Sequence, residues 1–69
     1  MKLEKIKEKI KNEKKNGIKV EWEQEINNAF YEDSGLFLES EFFEIMKITT
    51  KEKVLKFIDI LINKAQEVR

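Results

Sequence analysis

The sequence predicts a small all-α domain, a compact bundle of three to four helices spanning residues 1–69. Three observations favour this fold class. Apolar residues repeat at intervals of three and four along most of the chain. The sequence has no proline and only two glycines, so few breakers interrupt it. The apolar fraction of 41% is high enough to argue against disorder.

The first predicted helix covers residues 2–15. Leu3, Ile6 and Ile10 lie on one narrow face, and lysines flank that face on both sides. Asn16-Gly17 is a natural stop, because glycine accepts the left-handed conformation that follows many helices.

The second predicted helix covers residues 20–32. Its apolar face consists of Trp22, Ile26, Ala29 and Phe30. The alternation of Ile18, Val20 and Trp22 leaves a competing interpretation, an α+β fold with a short two-stranded hairpin from 18–22 and 36–39. The helix is preferred because its spacing extends further along the chain.

A turn at residues 33–35 separates this helix from a short one predicted over 41–47, with Ser40 as its cap. Residues 35–46 resemble the second half of an EF-hand, with Gly35 at loop position six and Glu41 at position twelve. Loop position one would be Phe30, whose ring cannot ligate calcium. We therefore predict no metal site here, and a metal-free helix–loop–helix instead.

The last predicted helix covers residues 50–68 and opens at Thr49-Thr50-Lys51-Glu52, which matches a capping box. Its apolar stripe covers roughly half of the circumference, which is wider than a coiled-coil seam. We therefore predict a homo-oligomer, as a homodimer through this helix. The predicted interface residues are Phe57, Ile60, Leu61 and Val68.

Charge is segregated along the chain, although the formal net charge is zero. Residues 1–19 hold eight lysines and three glutamates, residues 20–46 hold eight carboxylates and no basic residue, and residues 47–69 hold six basic and three acidic residues. Six of the seven aromatic residues also lie in the acidic block. Such segregation shapes the choice of a partner rather than the fold.

The function predicted from these blocks is a non-catalytic protein-interaction module that binds a basic protein surface. Its acidic side chains would steer association and its aromatic rings would anchor the contact. The candidate contact residues are Glu21, Trp22, Glu25, Tyr31, Glu32, Asp33, Phe37, Glu39, Glu41 and Glu44, with the aromatic ones conditional on exposure. Small acidic inhibitors and antagonists from phages and mobile elements offer an analogy of size and charge.

Three other interpretations stay open. The acidic block could be compensated internally by the lysines of the flanking helices. The lysine-rich first and last helices could bind nucleic acid, through residues such as Lys7, Lys11 and Lys14. The chain could also be a purely structural subunit of a homo-oligomer.

The composition argues against catalysis, cofactors and membrane insertion. Without histidine or cysteine the chain lacks the commonest general base and the commonest zinc ligands. No apolar run approaches the roughly 20 residues that a membrane span needs. No export signal is recognisable at the N-terminus, so we expect a cytoplasmic protein.

Overall fold

The computed structural model describes residues 1–14, 20–38 and 50–68, and these residues form an all-α bundle. Helix α1 spans Lys2–Asn12, α2 spans Val20–Ser34 and α3 spans Lys51–Val68. The predicted fold class is confirmed. The helix predicted over 41–47, with its cap at Ser40, lies outside the described residues.

The hairpin alternative is wrong. Residues 20–22 form the first turn of α2, and residues 36–38 form no strand. The helix prevails because it places four apolar side chains of α2 in the core at once, whereas the alternation over 18–22 ends at Trp22.

The core is built from the apolar stripes of all three helices, and every pair of helices is in contact. Among the described residues, those buried in this core are Leu3, Ile10, Trp22, Ile26, Ala29, Phe30, Val54, Ile58, Leu61 and Ala65. Ile6 is half-buried and packs against this core, as the predicted stripe of α1 requires. Burying an aliphatic or aromatic side chain of this size contributes about 1.5–3 kcal/mol, so the core is the main source of stability.

Ion pairs show how the helices run relative to one another. Lys2 pairs with Glu32 and Lys9 with Glu25, so α1 is antiparallel to α2. Lys7 Nζ lies 2.5 Å from Asp59 Oδ1. Near the end of α1, the ammonium of Lys51 donates to the backbone carbonyl of Glu13, so α1 is antiparallel to α3 as well. Helices α2 and α3 therefore run in the same direction.

Three predicted helix boundaries differ from the structure. Helix α2 ends at Ser34 instead of residue 32, so the first two residues of the predicted turn at 33–35 belong to the helix. Helix α1 ends at Asn12 instead of residue 15, because Glu13 is extended (φ −70°, ψ 132°) and its N–H donates to the carbonyl of Ile10 at 3.1 Å. The predicted stop at Asn16-Gly17 lies outside the described part of the chain.

The N-terminus of α3 also differs, because Thr50 caps it through a hydrogen bond from Lys53 N to Thr50 Oγ1 at 3.5 Å. The third residue after this cap is Lys53, which is neither glutamate nor glutamine, so Thr50 makes no capping box. Thr49, the cap in the predicted capping box with Glu52, lies outside the described residues.

The resemblance to an EF-hand does not extend to a calcium-binding loop. Residues 30–34, where such a loop would begin, continue α2, and Phe30 is buried in the core. No helix among the described residues is long and apolar enough to cross a membrane.

Candidate protein-interaction surface

The acidic edge of α2, formed by Glu21, Glu25 and Glu32, is largely compensated by α1. Lys9 Nζ lies 2.6 Å from Glu25 Oε1, and Lys2 Nζ lies 2.9 Å from Glu32 Oε2. Hydrogen bonding and the negative charge of the paired glutamate raise the pKa of each lysine. Internal compensation, the alternative raised from the sequence, therefore describes this edge.

Among the three acids of this edge, Glu21 is the one most available to a partner. It is exposed and forms no ion pair with a described residue, although its charge contributes to the raised pKa of Lys9. Glu32 keeps about half of its side chain exposed beside Lys2. Glu25 is less available, because Oε1 is paired and Oε2 is buried without a hydrogen-bond partner among the described residues.

Asp33 belongs to the interior rather than to a binding surface, since it is only 7% exposed. Its Oδ1 accepts a hydrogen bond from Lys2 N at 3.0 Å, and its Oδ2 accepts one from Leu3 N at 2.9 Å. A carboxylate at the N-terminus of a helix satisfies unpaired N–H groups and interacts favourably with the helix dipole. Asp33 of α2 thus caps α1, where Met1 provides no side-chain cap.

Two other predicted contact residues are buried. Trp22 is 2% exposed and occupies the core, so the condition of exposure for its use as an anchor is not met. Leu61, predicted at the oligomer interface, is likewise 2% exposed. Both stand at helical positions that face the centre of the bundle, where burial of their large apolar surfaces is most favourable.

The wide apolar arc of α3 is mostly used inside the chain. Leu55, Phe57 and Ile62 pack against the protein's own core and are half-buried. Ile60 and Val68 remain exposed, at 54% and 53%. The width of the arc therefore does not require a second copy of the chain, and these two side chains are what remains of the predicted interface.

The clearest exposed aromatic feature is the pair Tyr31 and Phe37, which we call the aromatic patch. Tyr31 is 47% exposed and Phe37 is 74% exposed. The two rings stack with their centroids 4.7 Å apart and an interplanar angle of 24°. Both residues were predicted as anchors on condition of exposure, and both meet that condition.

The turn after α2 positions Phe37 beside Tyr31. Gly35 adopts φ +75°, a conformation that favours glycine, and its N–H donates to the carbonyl of Tyr31 at 2.7 Å. The hydroxyl of Ser34 donates to the carbonyl of Phe30 at 2.6 Å and accepts from Leu36 N at 3.1 Å. Leu38 N then donates to Asn27 Oδ1 at 3.5 Å, so the chain turns back along α2.

An open groove of about 410 Å³ adjoins the aromatic patch. It is lined by Asn27, Asn28, Tyr31, Glu32 and Phe37. The two asparagines were not predicted as contact residues. Their position one helical turn before Tyr31 and Glu32 was the available signal, but polar residues on a solvent-facing helix rarely stand out in a sequence. Glu39, Glu41 and Glu44 lie outside the described residues.

The lysines that the nucleic-acid interpretation uses differ in their surroundings. Lys7, which the nucleic-acid interpretation uses, pairs with Asp59, whereas Lys11 and Lys14 are exposed. In the parts of the chain that the structure describes, no three His, Cys, Asp or Glu side chains are grouped as a metal site would require.

Comparison with known protein families, with curated proteins and with solved structures finds no match to this chain.

Proposed function

We propose that this protein is a non-catalytic interaction module that binds a partner protein through the aromatic patch at the C-terminal end of α2. The observation that carries the proposal is the exposed, stacked pair of Tyr31 and Phe37 beside an open groove. The proposed contact still lies in the acidic, aromatic middle of the sequence. We expect the two aromatic rings to contribute more to the binding free energy than the acidic side chains do.

Aromatic side chains are effective anchors in protein interfaces, because they bury a large area while few rotatable bonds are immobilised. Phe37 is 74% exposed, whereas other apolar residues outside the core, such as Leu38 and Phe57, are partly buried against it. Stacking against Tyr31 already restricts both rings, which lowers the entropy that binding must remove.

Charge contributes less than the sequence suggests, because two glutamates of the α2 edge are paired with lysines of α1. The partner we propose still presents a basic surface, since Glu21 and the half-exposed Glu32 flank the outer face of α2. One role for such binding is inhibition of a host enzyme, as by small antagonists from phages or mobile elements. The small size of this chain is compatible with that role.

The test compares partner capture by three forms of the purified protein. The wild type, the variant Tyr31→Ser/Phe37→Ser and the control variant Ile60→Ser/Val68→Ser are immobilised in equal amounts, and proteins retained from the source organism are quantified by mass spectrometry. The control is matched because it also removes two exposed apolar side chains, but from α3.

We expect a partner that is retained by the wild type and the control and is reduced about tenfold or more on the aromatic variant, the loss that removal of interface hot spots produces. Circular dichroism must show equal helix content in all three proteins. Equal retention of every captured protein by the two variants would refute the proposal.

A structural homo-oligomer is the second candidate, and the observation that favours it is the exposure of Ile60 and Val68 on α3. In that case the protein captured by the wild type would be a second copy of this chain. The control variant Ile60→Ser/Val68→Ser would fail to retain it, and the aromatic variant would retain it.

A further inference from the structure

The C-terminal end of α2 presents the carboxylate of Glu32 next to the aromatic patch. Its last turn carries no basic residue, and the other acid there, Asp33, is buried as the cap of α1. The carbonyl end of a helix dipole adds partial negative charge, which normally favours lysine or arginine at this position. Lys2 of α1 supplies one cation, through an exposed contact with Glu32.

The groove places π faces and a carboxylate on neighbouring positions of one helix surface. Asn28 lies three residues before Tyr31 and four before Glu32, so all three are adjacent on α2. Phe37 stacks on Tyr31 and extends the aromatic side of the groove. The lining of the groove therefore combines two aromatic side chains, two amides and one carboxylate.

We propose, resting on the function proposed above, that this groove receives an arginine side chain of the partner protein. Its guanidinium would lie against the rings of the aromatic patch and donate hydrogen bonds to the carboxylate of Glu32 and the amide oxygen of Asn28. A planar, weakly hydrated cation with several donors fits this combination of partners. Lysine fits it less well, because its ammonium is strongly hydrated and cannot stack.

Lys2 already occupies one oxygen of Glu32, so it competes with an incoming arginine. Both side chains of that pair are about half exposed, at 59% and 49%, so rearrangement of the pair costs little. Removal of the Lys2 ammonium should therefore strengthen binding of a guanidinium. This consequence distinguishes a guanidinium site from a simple apolar docking surface.

The test uses three blocked tripeptides, acetyl-Gly-Arg-Gly-amide and its lysine and leucine counterparts, in NMR titrations of the ¹⁵N-labelled full chain. We expect the arginine peptide to shift the amide signals of Asn28, Tyr31, Glu32 and Phe37 with a Kd on the order of millimolar. The lysine peptide should bind about threefold to tenfold more weakly, and the leucine peptide should leave these signals in place.

Two variants sharpen the result without touching the core. Glu32→Gln should weaken arginine binding about tenfold, and Lys2→Gln should strengthen it about twofold to threefold, as the loss and the gain of one charged contact imply. Equal shifts from the arginine and leucine peptides, or unchanged binding by both variants, would overturn the inference.

Failure of the inference and failure of the proposed function give different results. If Tyr31→Ser/Phe37→Ser loses its captured partner while Glu32→Gln retains it and the arginine peptide does not bind, the interaction surface stands and arginine is not its ligand. If the aromatic variant captures the same proteins as the wild type, the proposed function fails, whatever the peptides do.

Discussion

Replacing Asp33 with alanine should destabilise the bundle by removing the cap of α1. The carboxylate of Asp33 accepts hydrogen bonds from Lys2 N and Leu3 N, at 3.0 and 2.9 Å, across 31 and 30 positions of the sequence. Alanine leaves both N–H groups without this acceptor. The N–H of Leu3 is in the more serious position, because its hydrogen bond is buried whereas that of Lys2 is only part-buried.

The magnitude follows from these two contacts. Loss of an N-terminal cap costs about 0.5–2 kcal/mol, and a buried donor left unsatisfied costs about 1–3 kcal/mol. The two effects overlap, so we expect the free energy of unfolding to fall by about 2–4 kcal/mol. A chain of this size has a total stability of only about 3–10 kcal/mol, so the variant should be close to unfolding.

Urea denaturation followed by fluorescence provides the assay, because Trp22 is the only tryptophan and is buried in the core. The midpoint should fall while the slope with urea stays the same, since the surface exposed on unfolding is unchanged. Asp33→Asn should have an intermediate effect, because one acceptor oxygen remains but the charge is lost.

The adjacent acid is the matched control. Glu32→Gln changes a half-exposed carboxylate that pairs with Lys2, so its effect on the unfolding midpoint should be much smaller. If Asp33→Ala unfolds at the same urea concentration as Glu32→Gln, Asp33 is not the cap that the geometry indicates.

Two further predictions concern the charged and apolar surfaces. Glu25 raises the pKa of Lys9 above its ordinary value of 10.5, so the pair's stabilising effect is complete below pH 10.5 and is lost as the pH rises through the higher, folded-state pKa. The difference in urea midpoint between the wild type and Lys9→Gln should therefore be constant from pH 7 to pH 10.5 and shrink above it; a difference that stays the same from pH 7 to well above pH 10.5 would contradict the assignment. If the chain forms a homodimer through α3, Ile60→Lys should weaken it and leave the helix content unchanged, because Ile60 is 54% exposed. Sedimentation of the wild type as a monomer at high concentration would exclude that dimer.

Periodicity was sufficient to predict the three described helices and the side chains that form the core. Val54, Ile58, Leu61 and Ala65 follow a four-three spacing and are all buried, and so are Trp22, Ile26, Ala29 and Phe30. Val68 continues the same spacing but is exposed at the end of α3. This success has a physical reason. The helical repeat of 3.6 residues is a local property, and burial of one apolar face is the strongest favourable term in a small bundle.

The helix ends were less predictable, because caps depend on single hydrogen bonds and on contacts between distant segments. Two adjacent threonines could each have capped α3, and the structure uses Thr50. The cap of α1 comes from Asp33, a residue of another helix, which no local pattern could indicate.

The candidate site depended most on tertiary structure. The sequence by itself determined that the middle of the chain is acidic and aromatic. Packing decided the role of each residue. The antiparallel placement of α1 pairs Glu25 and Glu32 with lysines, and helical rotation buries Trp22. The turn at Gly35 leaves Phe37 exposed on Tyr31. The charge and the aromatic content of a segment can be counted from its sequence. Exposure and ion pairing depend on where each side chain points in the folded bundle, and the packing of the helices decides that.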